Sequence, residues 1–518
     1  MASVRNKELG GIKMKTRIFT LFLIVAMLST IFFGCSKQTV AQNEAYNGRV
    51  FYEIFVRAFN DSNKDGIGDL KGVTQKLDYL KDLGIKGIWL MPINDSPSYH
   101  GYDISDYYKI NPDYGTMEDF KELIKEAHKR DIKVEMDMVI NHTSIENQWF
   151  KEAAADPNSK YRNYFIWTKD SEKAKETSAI SAQPWTPLGD AYYYSIFWSG
   201  MPDLNYDNKE VRDEMKKVAK YYLDMDVDGF RLDAARWIYL ENNKNVDWWQ
   251  EYSKYVKSIK KDAVLVGEVW DNNSQVVAPY YKALDSCFNF SLADSLVKGI
   301  SNGSVSNILG AANYSYDCYK DEKKNFIDSP FLTNHDMNRA MDSFQDIEAA
   351  KEAAAVLLTL PGAPYVYYGE ETGMTGSKPD EQIRQPFIWD NKDTSKNTSW
   401  EKSDNDLDKV AVSVQEKDKK SLLNTYKTII NLRNDTSALK LGDYKDLEAQ
   451  SDGVMAYKRS YKGQEVYIYV NVGKEKATEK TDLKKAKVLY SNKSETGTIK
   501  CNGKISLEPY QILILENK

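Results

Sequence analysis

Along the first two thirds of the chain the apolar positions follow two patterns in turn. Short apolar runs of strand length lie at residues 50–56, 87–90, 134–139, 229–232, 265–267, 287–290, 331–333 and 365–367. Between them lie stretches such as 117–130 and 211–225, where apolar residues recur with helical spacing. Runs apolar on both faces read as buried parallel strands, and the periodic stretches as amphipathic helices packed over them. Eight strands with intervening helices predict an α/β chain folded as a (β/α)8 TIM barrel.

One connection breaks the rhythm. Between His142 and Met201 lie 58 residues with helical fragments and a Trp185-Thr186-Pro187 turn, too long for a structureless loop inside a compact domain. This predicts a small inserted domain after the third strand. From about Leu439 the pattern turns to short alternating runs, which read as a C-terminal antiparallel β-sandwich. The expected division is a signal segment 1–35, a polar tether 36–48, barrel 49–142, insertion 143–200, barrel 201–438 and sandwich 439–518.

The N-terminus reads as a targeting segment. Lys13, Lys15 and Arg17 precede an apolar run from Ile18 to Phe33, too short for a comfortable membrane span but suited to a signal peptide. Gly34-Cys35 resembles a bacterial lipoprotein cleavage site, with Phe32 where Leu is usual, so Cys35 is expected to carry a lipid. That places the protein outside the cytoplasm, lipid-anchored or secreted. Cys287, Cys318 and Cys501 form no disulfide framework and no zinc spacing. A net charge of −6 with no basic tract gives nucleic-acid binding no electrostatic support.

The chemistry is concentrated at the ends of the predicted strands. In Gly229-Phe230-Arg231-Leu232-Asp233, strand alternation sends Arg231 and Asp233 to one face. A guanidinium there favours an ionised carboxylate, as a nucleophile needs, although the pair also suits a helix cap. Asp137-Met138-Val139-Ile140-Asn141-His142, Gly267-Glu268-Val269-Trp270 and Asn334-His335-Asp336 complete an ordered set.

From about Arg49 to the C-terminus this set resembles the α-amylase family of retaining glycoside hydrolases. The resemblance implies Asp233 as nucleophile, Glu268 as general acid and base, and Asp336 as a third carboxylate steadying the oxocarbenium-like state. It implies sugar contacts from His100, Tyr102, His142, Arg231, His335, Asp380 and Arg384. His128 reads as a surface residue. Ala234 resembles α-1,4-acting members of the family, and Met201-Pro202-Asp203-Leu204-Asn205 resembles a group of α-amylases intermediate between oligo-1,6-glucosidases and neopullulanases. The expected activity is endo-hydrolysis of α-1,4 bonds in starch and maltodextrins by a monomer, with an oligosaccharide α-glucosidase, neopullulanase-like enzyme or transglycosylase as the alternative. Asp61, Asn63, Asp65, the Ile67 carbonyl and Asp69 have calcium-loop spacing, with Gly66 at the turn. Many members of the family hold structural Ca²⁺ in that loop.

Overall fold

A computed structural model describes residues 46–518 apart from Ser494. Cys35 and the rest of the predicted targeting segment lie outside the described residues. Eight parallel strands surround the core: β1 (Phe51–Ile54), β2 (Gly87–Leu90), β3 (Lys133–Met138), β4 (Gly229–Leu232), β5 (Val264–Gly267), β6 (Ser286–Phe288), β7 (Ile327–Ser329) and β8 (Tyr365–Tyr367). Ladders join β7-β6-β5-β4-β3-β2-β1-β8 in that order. The remaining seam is closed by two backbone bonds: Ala363 N–H donates to Asp328 O at 2.8 Å and Tyr365 N–H to Pro330 O at 2.9 Å.

The strands are short because each crosses the barrel once and then turns into a loop. Glu135 and Asp137 alternate on the inner face of β3, so the barrel interior is partly polar. Glu135 accepts from Tyr365 OH at 2.7 Å, and burial pushes its carboxyl up to about 8. Outside, helix α1 (Met117–His128) buries Phe120, Leu123, Ile124 and Ala127 and opens with a Thr116–Asp119 capping box. Helix α2 (Lys209–Leu223) is capped by Asn208 and buries a stripe from Val211 to Leu223.

Two sequence expectations need correction. The seventh strand is Ile327–Ser329, upstream of the predicted 331–333. Pro330 has no N–H to extend the ladder, and Asp328, buried on the outer face against Asn289, disguises the true strand as polar. His335 and Asp336 therefore stand on the loop leaving β7. His128 is half-buried, with Nε2 2.6 Å from Asp228 Oδ2, where Lys133 Nζ also lies 2.8 Å from Asp228 Oδ1.

After β3 the chain forms a three-stranded antiparallel sheet from Trp167–Thr168, Trp185–Leu188 and Ala191–Tyr194. After the last barrel helix, α3 (Leu422–Asp435), come β9 (Asp443–Asp446), β10 (Val454–Tyr461), β11 (Gln464–Asn471), β12 (Ala477–Lys480), β13 (Lys485–Ser491), β14 (Thr498–Lys500), β15 (Lys504–Leu507) and β16 (Gln511–Asn517). They form a six-stranded sheet, β9-β10-β11-β16-β13-β14, and a two-stranded sheet, β12-β15. Buried Arg459 fastens this domain to the barrel, donating to Thr359 O at 2.6 Å and Gly442 O at 2.9 Å. Among the described residues no helix is long and apolar enough to cross a membrane.

Candidate active site

At the C-terminal mouth of the barrel one buried guanidinium joins the ends of three strands. Arg231 Nη1 donates to Asp233 Oδ1 at 2.6 Å and to Asp137 Oδ1 at 2.9 Å, while Nη2 lies 2.7 Å from Glu268 Oε1. Register explains the convergence. Arg231 lies beside Asp137 on β3 and Val266 on β5, so residues just beyond β4 and β5 emerge together. Ala234 follows Asp233 with φ +46°, a left-handed turn that aims its N–H at Glu268 Oε2, 2.8 Å away.

One oxygen of Glu268 thus accepts a backbone hydrogen bond and the other faces the guanidinium, surroundings that favour an ionised carboxylate. Burial acts in the opposite direction. Despite Arg231, burial and the neighbouring charges of Asp233 and Asp336 push Glu268 up to about 8. A group held between these tendencies can give and take a proton near neutral pH.

Asp336 lies across the mouth, more open than the other two carboxylates, with its side chain 30% exposed. Burial would raise it, but His335, Arg384 and Arg231 outweigh that and hold it well below the usual carboxylate range. Arg384 Nη2 donates to Asp336 Oδ1 at 2.9 Å and its Nε to His335 O at 3.0 Å. Asp380 is a rim residue, 3.4 Å from Arg384 and paired with Lys378.

His335 is fully buried. Its Nδ1 is 2.6 Å from Glu53 Oε1 and its Nε2 is 2.7 Å from Tyr102 OH. The Tyr102 hydroxyl donates to Asp137 Oδ2 at 3.0 Å, so it accepts from His335. Both ring nitrogens therefore donate. Burial opposes the cation, yet Asp336 and Glu53 raise His335 to about 9. Tyr102 stacks on His335, ring centroids 5.4 Å apart.

His142 Nε2 is 3.0 Å from Tyr102 O, and His100 Nδ1 accepts from Tyr102 N–H at 3.1 Å. Burial lowers both histidines, favouring neutral rings. All ten predicted catalytic and sugar-contact residues thus gather around this mouth, with Asp380 at its edge. Sequence reading missed Glu53, Trp89 and the role of Asp137 as the hub beneath Arg231. Trp89 Nε1 donates to Asp137 Oδ2 at 3.2 Å, and Arg231 lies over its ring. An acid within the apolar run Phe51-Tyr52-Glu53-Ile54 was the available signal. Phe197, 42% exposed, meets His142 edge-on, and exposed Trp270 stacks on Phe290 beside Glu268.

The loop after β1 is oxygen-rich but turned onto its own backbone. Asp61 accepts from the N–H groups of Asn63, Lys64 and Gly66, and Asp65 from Ile67 N–H. Asp69 accepts from Ser62 and Gly72, the latter as a helix N-cap. Among the described residues no three His, Cys, Asp or Glu side chains converge as a metal site. The donors are all hard oxygens of the kind calcium takes, and carboxylates bonded to backbone N–H retain lone pairs for an ion.

Residues 53–442 match the family model for the α-amylase catalytic domain. The chain belongs to the α-amylase family. It is 42% identical over 509 residues to α-amylase 3 of Dictyoglomus thermophilum, covering 97% of this chain and 98% of that one. It is 30% identical over 552 residues to an oligo-1,6-glucosidase of Bacillus cereus, covering 90% and 98%. The crystal structure of an α-amylase from H. orenii superposes with a TM-score of 0.86 at 42% identity, covering 92% of this chain and all of that one. The α-amylase fold and the glycoside hydrolase class follow directly.

Proposed function

We propose that this α-amylase family member is an endo-acting enzyme that hydrolyses α-1,4-glucosidic bonds in starch and maltodextrins with retention. The observation that carries the reading is the single Arg231 guanidinium shared by Asp233 and Glu268. It holds a nucleophile and an acid together at the mouth, as double displacement needs. Asp233 attacks the anomeric carbon while the bond to the leaving oxygen breaks, and Glu268 gives that oxygen its proton. Glu268, now a carboxylate, takes a proton from water as the water oxygen attacks the same carbon and releases Asp233. Asp336, fixed by Arg384 and His335, faces the positive charge that develops on the sugar ring.

The exposed faces of Phe197 and Trp270 beside the site suit stacking on further sugar units of a long chain, which supports internal cleavage. The test is maltoheptaose blocked at its non-reducing end. Release of shorter internal fragments supports the endo reading. No cleavage of the blocked sugar, with glucose released from unblocked maltooligosaccharides or isomaltose, replaces it with an oligosaccharide glucosidase. Larger products than the substrate mark transglycosylation.

Two further parts belong to this proposal. The loop of Asp61, Asn63, Asp65, Ile67 and Asp69 takes a structural Ca²⁺. The chain works outside the cytoplasm as a monomer, tethered to the membrane through a lipid on Cys35.

A further inference from the structure

The ion pairs of the C-terminal domain leave one group of lysines out. Residues 439–518 carry 15 Lys and Arg against 11 Asp and Glu, whereas residues 46–438 carry 49 against 63. The domain is therefore positive on a chain that is otherwise strongly negative. Its excess is concentrated in two short strand pairs. Lys485 on β13 stands directly opposite Lys500 on β14, and Lys480 on β12 directly opposite Lys504 on β15. Lys484 lies between the two pairs. All five side chains are exposed.

Like charges directly opposite in an antiparallel pair destabilise it. Two such pairs fall within residues 480–504, and the ion pairs of nearby lysines lie elsewhere. Lys458 pairs with Glu465 and Lys476 with Glu508, but among the described residues none of the five lysines has an ion pair. Buried Glu479, next to Lys480, is occupied with the backbone N–H groups of Gln450 and Ser451. Lys487, the next lysine of β13, has Glu516 opposite it and is left out of the group. Lys484, Lys485 and Lys500 line one depression of about 560 Å³ with Asn502, Gly503 and the lone acid Asp482. β14 and both strands of the two-stranded sheet are edges, so these lysines also guard against strand addition, a role that the self-association arm of the test separates from docking.

We propose that this five-lysine face docks on an anionic phospholipid membrane. Charge complementarity argues for it: the face offers several unpaired ammonium groups to a sheet of phosphates, and the acidic barrel is repelled by the same surface. The proposal rests partly on the Cys35 tether, which would hold the chain at such a surface, but the lysine geometry stands without it.

The test uses the mature chain from residue 35 onward carrying Cys35→Ser, so that neither an acyl group nor the apolar run 18–33 contributes. Sedimentation with phosphatidylcholine vesicles is compared with vesicles in which about a third of the lipid is phosphatidylglycerol. The expected result is binding to the anionic vesicles alone, released by raised salt. Each neutralised lysine lowers the partition coefficient roughly five-fold, so Lys480→Gln/Lys500→Gln/Lys504→Gln together lower it on the order of a hundred-fold. Lys121→Gln/Lys125→Gln on helix α1 is the control and leaves binding unchanged. Equal binding to both vesicle types, or full binding by the triple variant, overturns the proposal. So does a triple variant that self-associates while its vesicle binding is unchanged, which marks the lysines as edge guards. Hydrolysis of a soluble maltooligosaccharide stays unchanged in the triple variant, so a failure of docking is distinct from a failure of the activity reading.

Discussion

Arg231 Nη2 and Glu268 Oε1 are 2.7 Å apart, while the other nitrogen of the same guanidinium holds Asp233 at 2.6 Å. The acid and the nucleophile are thus spaced by one rigid planar group. Arg231→Lys keeps the charge but cannot hold two carboxylates in that fork. It is expected to lower kcat by about 10²-fold or more with a smaller change in KM, measured on maltoheptaose.

Asp233→Asn removes the nucleophile without changing its shape. Hydrolysis should fall by about 10⁴-fold or more, while calorimetric binding of a maltooligosaccharide persists. Activity that survives this change would sink the assignment of Asp233.

Glu268 sets the alkaline side of the pH profile. As the acid it works protonated, and its carboxyl is pushed up to about 8, so kcat/KM should decline as pH rises through about 8. Glu268→Gln should lower kcat by about 10²–10⁴-fold and leave a residual activity without that alkaline limb.

Glu352 tests the linkage between burial and stability. On the helix Ile347–Thr359 burial, with Glu348 and Asp346 adding to it, pushes its carboxyl up to about 8. Between an ordinary unfolded value near 4.3 and that folded value, the folded state holds a proton that the unfolded state releases. Stability attributable to this group is therefore full below about pH 4 and is lost as pH rises toward 8. Glu352→Gln should be near neutral at pH 5 and stabilising at pH 8, on the order of 1–3 kcal/mol, as read by denaturant unfolding.

The proposed Ca²⁺ site in the oxygen-rich loop after β1 is tested by an ion-dependent signal. If Ca²⁺ binds there, saturating ion should stabilise the protein by about 2–3 kcal/mol at a hundred times its Kd, and chelation should lower Tm. Asp61→Ala should abolish the Ca²⁺ response while also lowering Tm in chelator, because three backbone N–H groups lose their acceptor. An unchanged Tm on chelation would remove the ion from this loop.

Much of the site was legible because Asp233 and Glu268 directly follow strands whose apolar runs stand out in the sequence. The seventh strand did not, since Pro330 ends it and Asp328 breaks its apolar pattern, so the apolar Phe331-Leu332 loop read as the strand. Glu53 and Asp137 were harder for another reason. A polar residue facing into a barrel looks, in one dimension, like a polar residue facing solvent. Only the closed sheet brings Glu53 to His335, 282 positions away.

The barrel's seam gives the mouth two unequal jaws. Asp233 and Glu268 leave strands joined by a continuous ladder, whereas Asp336 follows β7 and Arg384 follows β8, strands joined among the described residues by the two backbone bonds from Ala363 and Tyr365. The reacting pair is mounted on laddered strands, and the charge-steadying pair straddles the seam. The bridge from Arg384 to Asp336 and to His335 O therefore stitches together, at the level of the loops, what the strands beneath leave unlaced.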